Sequence, residues 1–162
     1  MAVLAVGCGG SRAPKPAIAP APAELTQAAE YNFDSLDERP VSSTAMAGKP
    51  TVIAFITTWD LVCQAQTGFL VAMAKHDAQT TNYVLVAVHP RTERELVETY
   101  ARTLKVTFPV ALTERSALGE DSPFGDVTQV PTVVLLDRKG RVRWRHVGLA
   151  KSDELRSHMS RL

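Results

Sequence analysis

Three nearly unbroken apolar runs set the plan of this chain: Thr51-Val-Ile-Ala-Phe-Ile56, Tyr83-Val-Leu-Val-Ala-Val88 and Pro131-Thr-Val-Val-Leu-Leu136. A strand with one solvated face alternates apolar and polar residues, whereas a strand buried on both faces does not. These runs therefore predict central strands of a sheet covered above and below. Between them the period becomes helical. Leu61, Ala65, Phe69, Ala72, Met73 and His76 predict a helix from 61 to about 79 with that stripe facing inward. Leu96, Tyr100 and Leu104 predict a second helix over 92–105, opened by a capping box of Thr92 and Glu95.

The remaining pieces are shorter. Asn32 to Leu36 and Arg39 to Ser43 read as extended segments before the turn at Gly48-Lys49-Pro50, and Phe108 to Leu112 reads as a short strand or turn. Ser116 to Gln129 reads as a loop or irregular helix. Arg141 to His146 alternates, so it predicts a half-exposed strand that returns from the third apolar run through the turn at Asp137 to Gly140. Ser152 is placed to cap a last helix, with Asp153 and Glu154 where the helix dipole favours acids. The order β-α-β-α-β-β-α gives an α/β domain over 31–162, a central mixed sheet flanked by helices, with a short N-terminal extension.

The first thirty residues differ. Met1-Ala-Val-Leu-Ala-Val-Gly-Cys8 is apolar and ends in small residues before a cysteine. It resembles the end of a bacterial lipoprotein signal, and Ala5-Val6-Gly7-Cys8 loosely matches the box that precedes a lipidated cysteine. No Lys or Arg precedes it, so the true start is expected upstream of Met1. On this reading residues 1–7 are a signal remnant, Cys8 carries a lipid anchor to the membrane, and the Pro/Ala-rich residues 8–30 are a tether. The alternative is an unstructured start with an incidental cysteine.

Composition removes several classes. The formal net charge of +1 gives no bulk field for nucleic acid. No apolar run reaches the roughly 18 residues of a membrane-spanning helix. Two cysteines far apart, Cys8 and Cys63, exclude a disulfide framework and a paired-cysteine metal site. His76, His89, His146 and His158 lack ligand spacing, so no metal or cofactor is expected. Arg138, Lys139, Arg141, Arg143 and Arg145 make a basic hairpin, read as edge-strand charge that blocks aggregation rather than as an anion site.

The local words resemble the TlpA/ResA-like thioredoxin-fold (redoxin) family. Gly48-Lys49-Pro50-Thr-Val-Ile-Ala-Phe55 is similar to its first central strand, and Thr107-Phe108-Pro109-Val110 to its Phe-Pro-Val segment. Gln129-Val130-Pro131-Thr132 with Leu136-Asp137-Arg138-Lys139-Gly140 resembles its proline loop and hairpin, and Val147-Gly148 its strand end. The resemblance spans about Tyr31 to Leu162. It implies a thioredoxin-like fold, a bacterial envelope location on the periplasmic side, protein thiol or disulfide partners, and thiol–disulfide exchange.

One position departs from that family. Thr58-Trp59-Asp60-Leu61-Val62-Cys63 stands where Trp-Cys-x-x-Cys is expected, so Asp60 replaces the attacking sulfur and Cys63 holds the resolving position. Exchange needs two sulfurs in reach, one to attack and one to release the mixed disulfide. A carboxylate can do neither, but it is a good helix N-cap. Asp60 reads either as a cap alone or as a modulator of Cys63. Cys63 reads either as a small core residue or as a lone redox thiol, slowed by burial and by the Asp60 charge. Gln66 and Gly68 stand where an acid and a proline are common in the family. A peroxiredoxin-type cysteine would fall near Asp60, so that chemistry is not supported either. Val130, Pro131 and Thr132 match the family's cis-proline loop, which pairs with extended peptides, and Trp59 is expected either to flank that groove or to pack in the core. Two functions follow: monothiol redox chemistry through Cys63, or a redox-silent module that binds a protein client in the groove.

Overall fold

The computed structural model describes residues 27–162. The signal-like residues 1–7, Cys8 and the tether up to residue 26 lie outside the described residues. Seven strands form one sheet in the order β2-β1-β5-β4-β3-β6-β7. They are β1 Asn32–Ser35, β2 Val41–Ser42, β3 Thr51–Ile56, β4 Asn82–Val88, β5 Val110–Thr113, β6 Thr132–Leu136 and β7 Val142–Val147. The helices are α1 Leu61–Asp77, α2 Arg94–Thr103 and α3 Ser152–Met159, with single 3-10 turns at Arg91–Glu93 and Arg115–Leu118. The β3–β4 and β4–β5 pairs are parallel, while β6 runs antiparallel to both β3 and β7. The mixed α/β sheet expected from the apolar runs is therefore present, and the expected strand or turn over Phe108 to Leu112 is a true strand, β5, from Val110 to Thr113, between β4 and β1.

Both faces of the central strands are covered, as their composition requires. On one face Val52, Ala54, Ile56, Tyr83, Leu85 and Ala87 meet residues of all three helices, among them Cys63, Leu70, Val97, Tyr100 and Leu155. On the other face Ile53, Phe55, Val84 and Val86 are covered by Ala29, Val41, Met46, Leu118, Phe124 and Val127. That second cover is made of the N-terminal extension and the segment between β5 and β6. Its centre is an aromatic cluster in which Phe124 lies 5.3 Å from Tyr31 and 5.3 Å from Phe55 between ring centroids.

Three local expectations change. Of the expected inward stripe of α1, Met73 is buried and Phe69 half-buried, whereas Leu61, Ala65, Ala72 and His76 are exposed, Leu61 at 76%. The buried face is Cys63, Gln66, Thr67, Leu70, Met73 and Ala74. Polar Gln66 and Thr67 are tolerated there because each has internal partners: Thr67 Oγ1 donates to the Cys63 carbonyl at 2.9 Å and lies 2.9 Å from the Tyr100 hydroxyl. The Thr92–Glu95 capping box is not formed, because residues 91–93 make a 3-10 turn and α2 starts later, at Arg94, burying Val97 and Tyr100. Ser152 is the first residue of α3 rather than its cap; Lys151 precedes it without a side-chain capping bond.

Gln66 fixes where α1 sits. Its Nε2 donates to the Ala150 carbonyl at 3.2 Å, and its Oε1 accepts the Ala150 N–H at 2.8 Å. This pair ties the first turns of α1 to the connection between β7 and α3, in a fully buried place. Gln66→Ala would leave both backbone groups of Ala150 unpaired and open a cavity. The expected loss is about 2–3 kcal/mol of unfolding free energy in urea, against less than about 0.5 kcal/mol for the neighbouring, partly exposed Gln64→Ala.

Candidate functional site

The site lies where β3 hands over to α1. β3 is paired on both sides and buried throughout, at 0–2% exposure, so the chain leaves the sheet at a fixed point. Thr57 and Thr58 are still buried, and Trp59 then emerges at 65% exposure. Of the two readings for Trp59, core packing is the one the structure excludes. Asp60 has extended backbone angles, φ −97° and ψ 127°, and its Oδ1 accepts the Cys63 N–H at 2.7 Å. The carboxylate thus satisfies one of the four N–H groups that a helix start leaves free.

Cys63 points inward and is fully buried. Its sulfur accepts the Thr57 N–H at 3.5 Å, closing the loop back onto the end of β3. Burial pushes the thiol up to about 11, and the Asp60 carboxylate adds to the rise, while the Thr57 N–H opposes it. The expectation of a sluggish thiol therefore has a structural cause. At neutral pH the thiolate, which is the reactive species, is scarce.

The proline loop meets the same strand end. The Val130–Pro131 peptide bond is cis. Thr132 pairs with Phe55, so Pro131 and Val130 lie opposite the end of β3. Val130 packs against the buried cluster that contains Cys63 and Ile56. Thr132 Oγ1 donates to the Gln129 carbonyl at 2.7 Å, and the Pro131 carbonyl accepts the Gly148 N–H at 2.7 Å. The structure thus gathers Trp59, Asp60, Cys63, Val130, Pro131 and Thr132 at one end of the sheet. Cys8 lies outside the described residues.

Sequence reasoning missed His89. Considered only as a metal ligand, it proves to be a buried support for the loop. It follows β4, next to the end of β3, and its Nε2 accepts the Thr58 N–H at 3.1 Å. Its Nδ1 lies 2.6 Å from Glu93 Oε2, which assigns the proton to Nδ1 and leaves the imidazole neutral. Its ring sits edge-on to Trp59 with centroids 4.5 Å apart. The i,i+4 spacing of His89 and Glu93 was the one signal available. His146 and His158, scattered in sequence, both stack on Trp144, at 5.4 and 4.6 Å between centroids. In the basic hairpin, Arg141 is bound to Asp137 at 2.7 Å, and Arg145 donates to the Asp126 carbonyl.

The fold and this strand-to-helix site define a protein built on the thioredoxin plan. The chain belongs to the AhpC/TSA family, which matches residues 25–145. It is similar to the thioredoxin-like protein YneN of Bacillus subtilis, with 26% identity over 133 residues, 82% of this chain and 76% of that protein. It is also similar to sporulation thiol-disulfide oxidoreductase A of the same organism, with 24% identity over 111 residues, 67% of this chain and 66% of that protein. The crystal structure of a DsbF homologue from Corynebacterium diphtheriae superposes with a TM-score of 0.76 at 14% identity, over 95% of this chain and 100% of that one. At such low identity the last likeness is one of fold.

The raised thiol gives a stability prediction. The folded protein holds the Cys63 proton up to about pH 11, whereas an unfolded cysteine releases it near its ordinary value of 9.0. Between those values the native state binds more protons than the unfolded one, so stability falls as pH rises. Wild type should lose about 2 kcal/mol more than Cys63→Ala when urea unfolding is compared at about pH 8.5 and about pH 11. Tyr31, pushed to about 12 by burial, contributes equally to the two proteins and cancels in the difference, whereas Tyr100, also pushed to about 12 by burial, is raised further by the Cys63 charge and adds to the difference in the same direction. Equal pH dependence in the two proteins would show that the sulfur is solvated.

Proposed function

We propose that this protein is an envelope thioredoxin-fold module of the TlpA/ResA type that holds an extended protein client beside Pro131 without running a dithiol cycle. The observation that carries this reading is the closed sulfur: Cys63 is fully buried, its sulfur accepts the Thr57 N–H, and the Asp60 carboxylate beside it occupies the helix start. A dithiol cycle oxidises two thiols as it reduces one substrate disulfide, and here the attacking sulfur is missing. Peroxide reduction by a cysteine at the same place lacks its nucleophile in the same way. The groove, in contrast, keeps Trp59 exposed and the proline loop in register. The monothiol alternative, in which Cys63 forms a mixed disulfide or a sulfenic acid, needs the sulfur to reach a client, and its burial weighs against that.

Labelling separates the two. A small maleimide at pH 7 should modify native Cys63 at least a hundredfold more slowly than the urea-unfolded chain; labelling at the unfolded rate would restore the monothiol reading. Asp60→Cys supplies the missing sulfur, and the variant should reduce insulin with dithiothreitol as electron donor while wild type stays at background. Catalytic reduction by wild type itself would end the proposal.

For its location we propose the periplasmic side of the envelope, with a lipid on Cys8 and residues 8–30 as the tether. The small-residue run before Cys8 and the proline-rich composition support this. A radiolabelled fatty acid fed to cells expressing the chain should appear on the protein and be lost in Cys8→Ser. Equal label in both would remove the anchor.

A further inference from the structure

The carboxyl ends of the parallel strands lie side by side and leave a trough. Trp59 follows β3, His89 follows β4, and Glu114 and Ser116 follow β5. Two hollows of about 470 and 430 Å³ run across these ends and share His89, Glu114 and Ser116. A third of about 170 Å³, reaching Tyr31 and Phe124, shares Phe33 and Ala117 with the second. The trough therefore runs continuously from the exposed Trp59 to the N-terminal extension, on the side of Trp59 away from Pro131. Crevices beyond the carboxyl ends of strands are where open α/β sheets bind ligands.

Its middle is a gap in the sheet. β1 and β5 pair at Asp34–Leu112 and Ser35–Ala111, and the Leu36 N–H donates to Val110 at 2.9 Å. Two residues further out, Asn32 would face Glu114, and that pair is not formed. In an antiparallel ladder alternate residues bond the same neighbour. Leu36 and Asp34 bond toward β5, so the N–H and C=O of Asn32 also point that way, into the opening. Phe33 bonds the other way, across to Val41 of β2. Among the described residues the N–H and C=O of Asn32 thus meet no strand partner on the trough side, and they can bond one residue of a chain that crosses it.

The unneutralised charge around it is negative. Asp34 is shared by two cations, Arg91 at 3.3 Å and Arg94 at 3.0 Å, and Arg115 donates to the neutral Thr128 carbonyl at 3.0 Å and keeps its charge. The carboxylates of Glu30 and Glu114 have no partner among the described residues. The segment 114–126 holds Glu114, Glu120, Asp121 and Asp126 against Arg115 alone. From β3 to β1 the trough crosses three strand spacings, about 14 Å, the length of four or five extended residues.

We propose that this trough binds an extended, Lys- or Arg-bearing peptide segment, as the second subsite for the client held beside Pro131. The proposal rests on the client-binding reading above, yet needs no statement about sulfur. The full chain is titrated with a fluorescein-labelled octapeptide of alternating Lys and Thr, and with the same peptide carrying Glu for Lys. Binding is followed by anisotropy and by the amide spectrum of ¹⁵N-labelled protein. The Lys peptide should bind at least tenfold more tightly than the Glu peptide and shift the amides of Asn32 and Glu114 and the Trp59 indole. Glu114→Lys should weaken it at least fivefold. Ser116→Trp, which fills the overlap of the two larger hollows from an exposed position, should weaken it at least tenfold with an unchanged melting temperature. No binding, equal affinity for both peptides, or shifts away from Asn32 would overturn the proposal. Fast maleimide labelling of Cys63 alongside a specific Lys-peptide response would sink the silent-module reading and leave the trough standing. The reverse pair of results would do the opposite.

Discussion

Two-sided burial of β3 is the constraint on which the rest depends. A strand hydrogen-bonded to β4 and β6, with helices against one face and an aromatic cluster against the other, has no freedom of register. Slipping it by one residue would exchange Val52, Ala54 and Ile56 with Ile53 and Phe55 between two differently shaped cores. The point at which the chain leaves the sheet is therefore set by packing far from the site. So are the exposure of Trp59, the capping position of Asp60 and the inward direction of Cys63.

On that fixed junction, the Asp60–Cys63 contact decides what chemistry remains. A helix start offers free N–H groups and a positive dipole end, which in a dithiol enzyme stabilise a thiolate. Here a carboxylate occupies that field first. Its oxygen accepts the Cys63 N–H and places a negative charge near the Cys63 sulfur. The feature that favours thiolate formation elsewhere is satisfied by an oxygen anion, and burial completes the effect. The same carboxylate that holds the helix start in place also pushes the Cys63 thiol up.

The chain announces its fold more clearly than its contacts. The three apolar runs reported buried central strands because two-sided burial leaves little choice of residue type. The proline loop and the Trp59–Cys63 junction were legible because each is a local word. The inward face of α1 was not, because Gln66 and Thr67 count as polar in any periodicity and become buried only through Ala150 and Tyr100, distant in sequence. The Thr92–Glu95 pattern failed for a related reason: the chain there makes a 3-10 turn first, with Glu93 turned back to His89. Composition reports what a side chain prefers; the partner that changes the preference lies elsewhere in the fold.

That distinction also bears on what this site became. Its polar groups are nearly all committed to backbone: Asp60 to Cys63, Gln66 to Ala150, His89 to Thr58, Thr132 to Gln129. A catalytic group must change its bonding during a cycle, and a group that supports the local fold can do so only by loosening that fold. Gln66 makes the contrast concrete, since an amide can both donate to and accept from Ala150, whereas a carboxylate in its place would face the Ala150 carbonyl oxygen without a proton to offer. On the client-holding reading proposed above, a proton-carrying acid behind Asp60 has no task, and the Gln66 amide serves instead to clamp α1 to the β7–α3 connection.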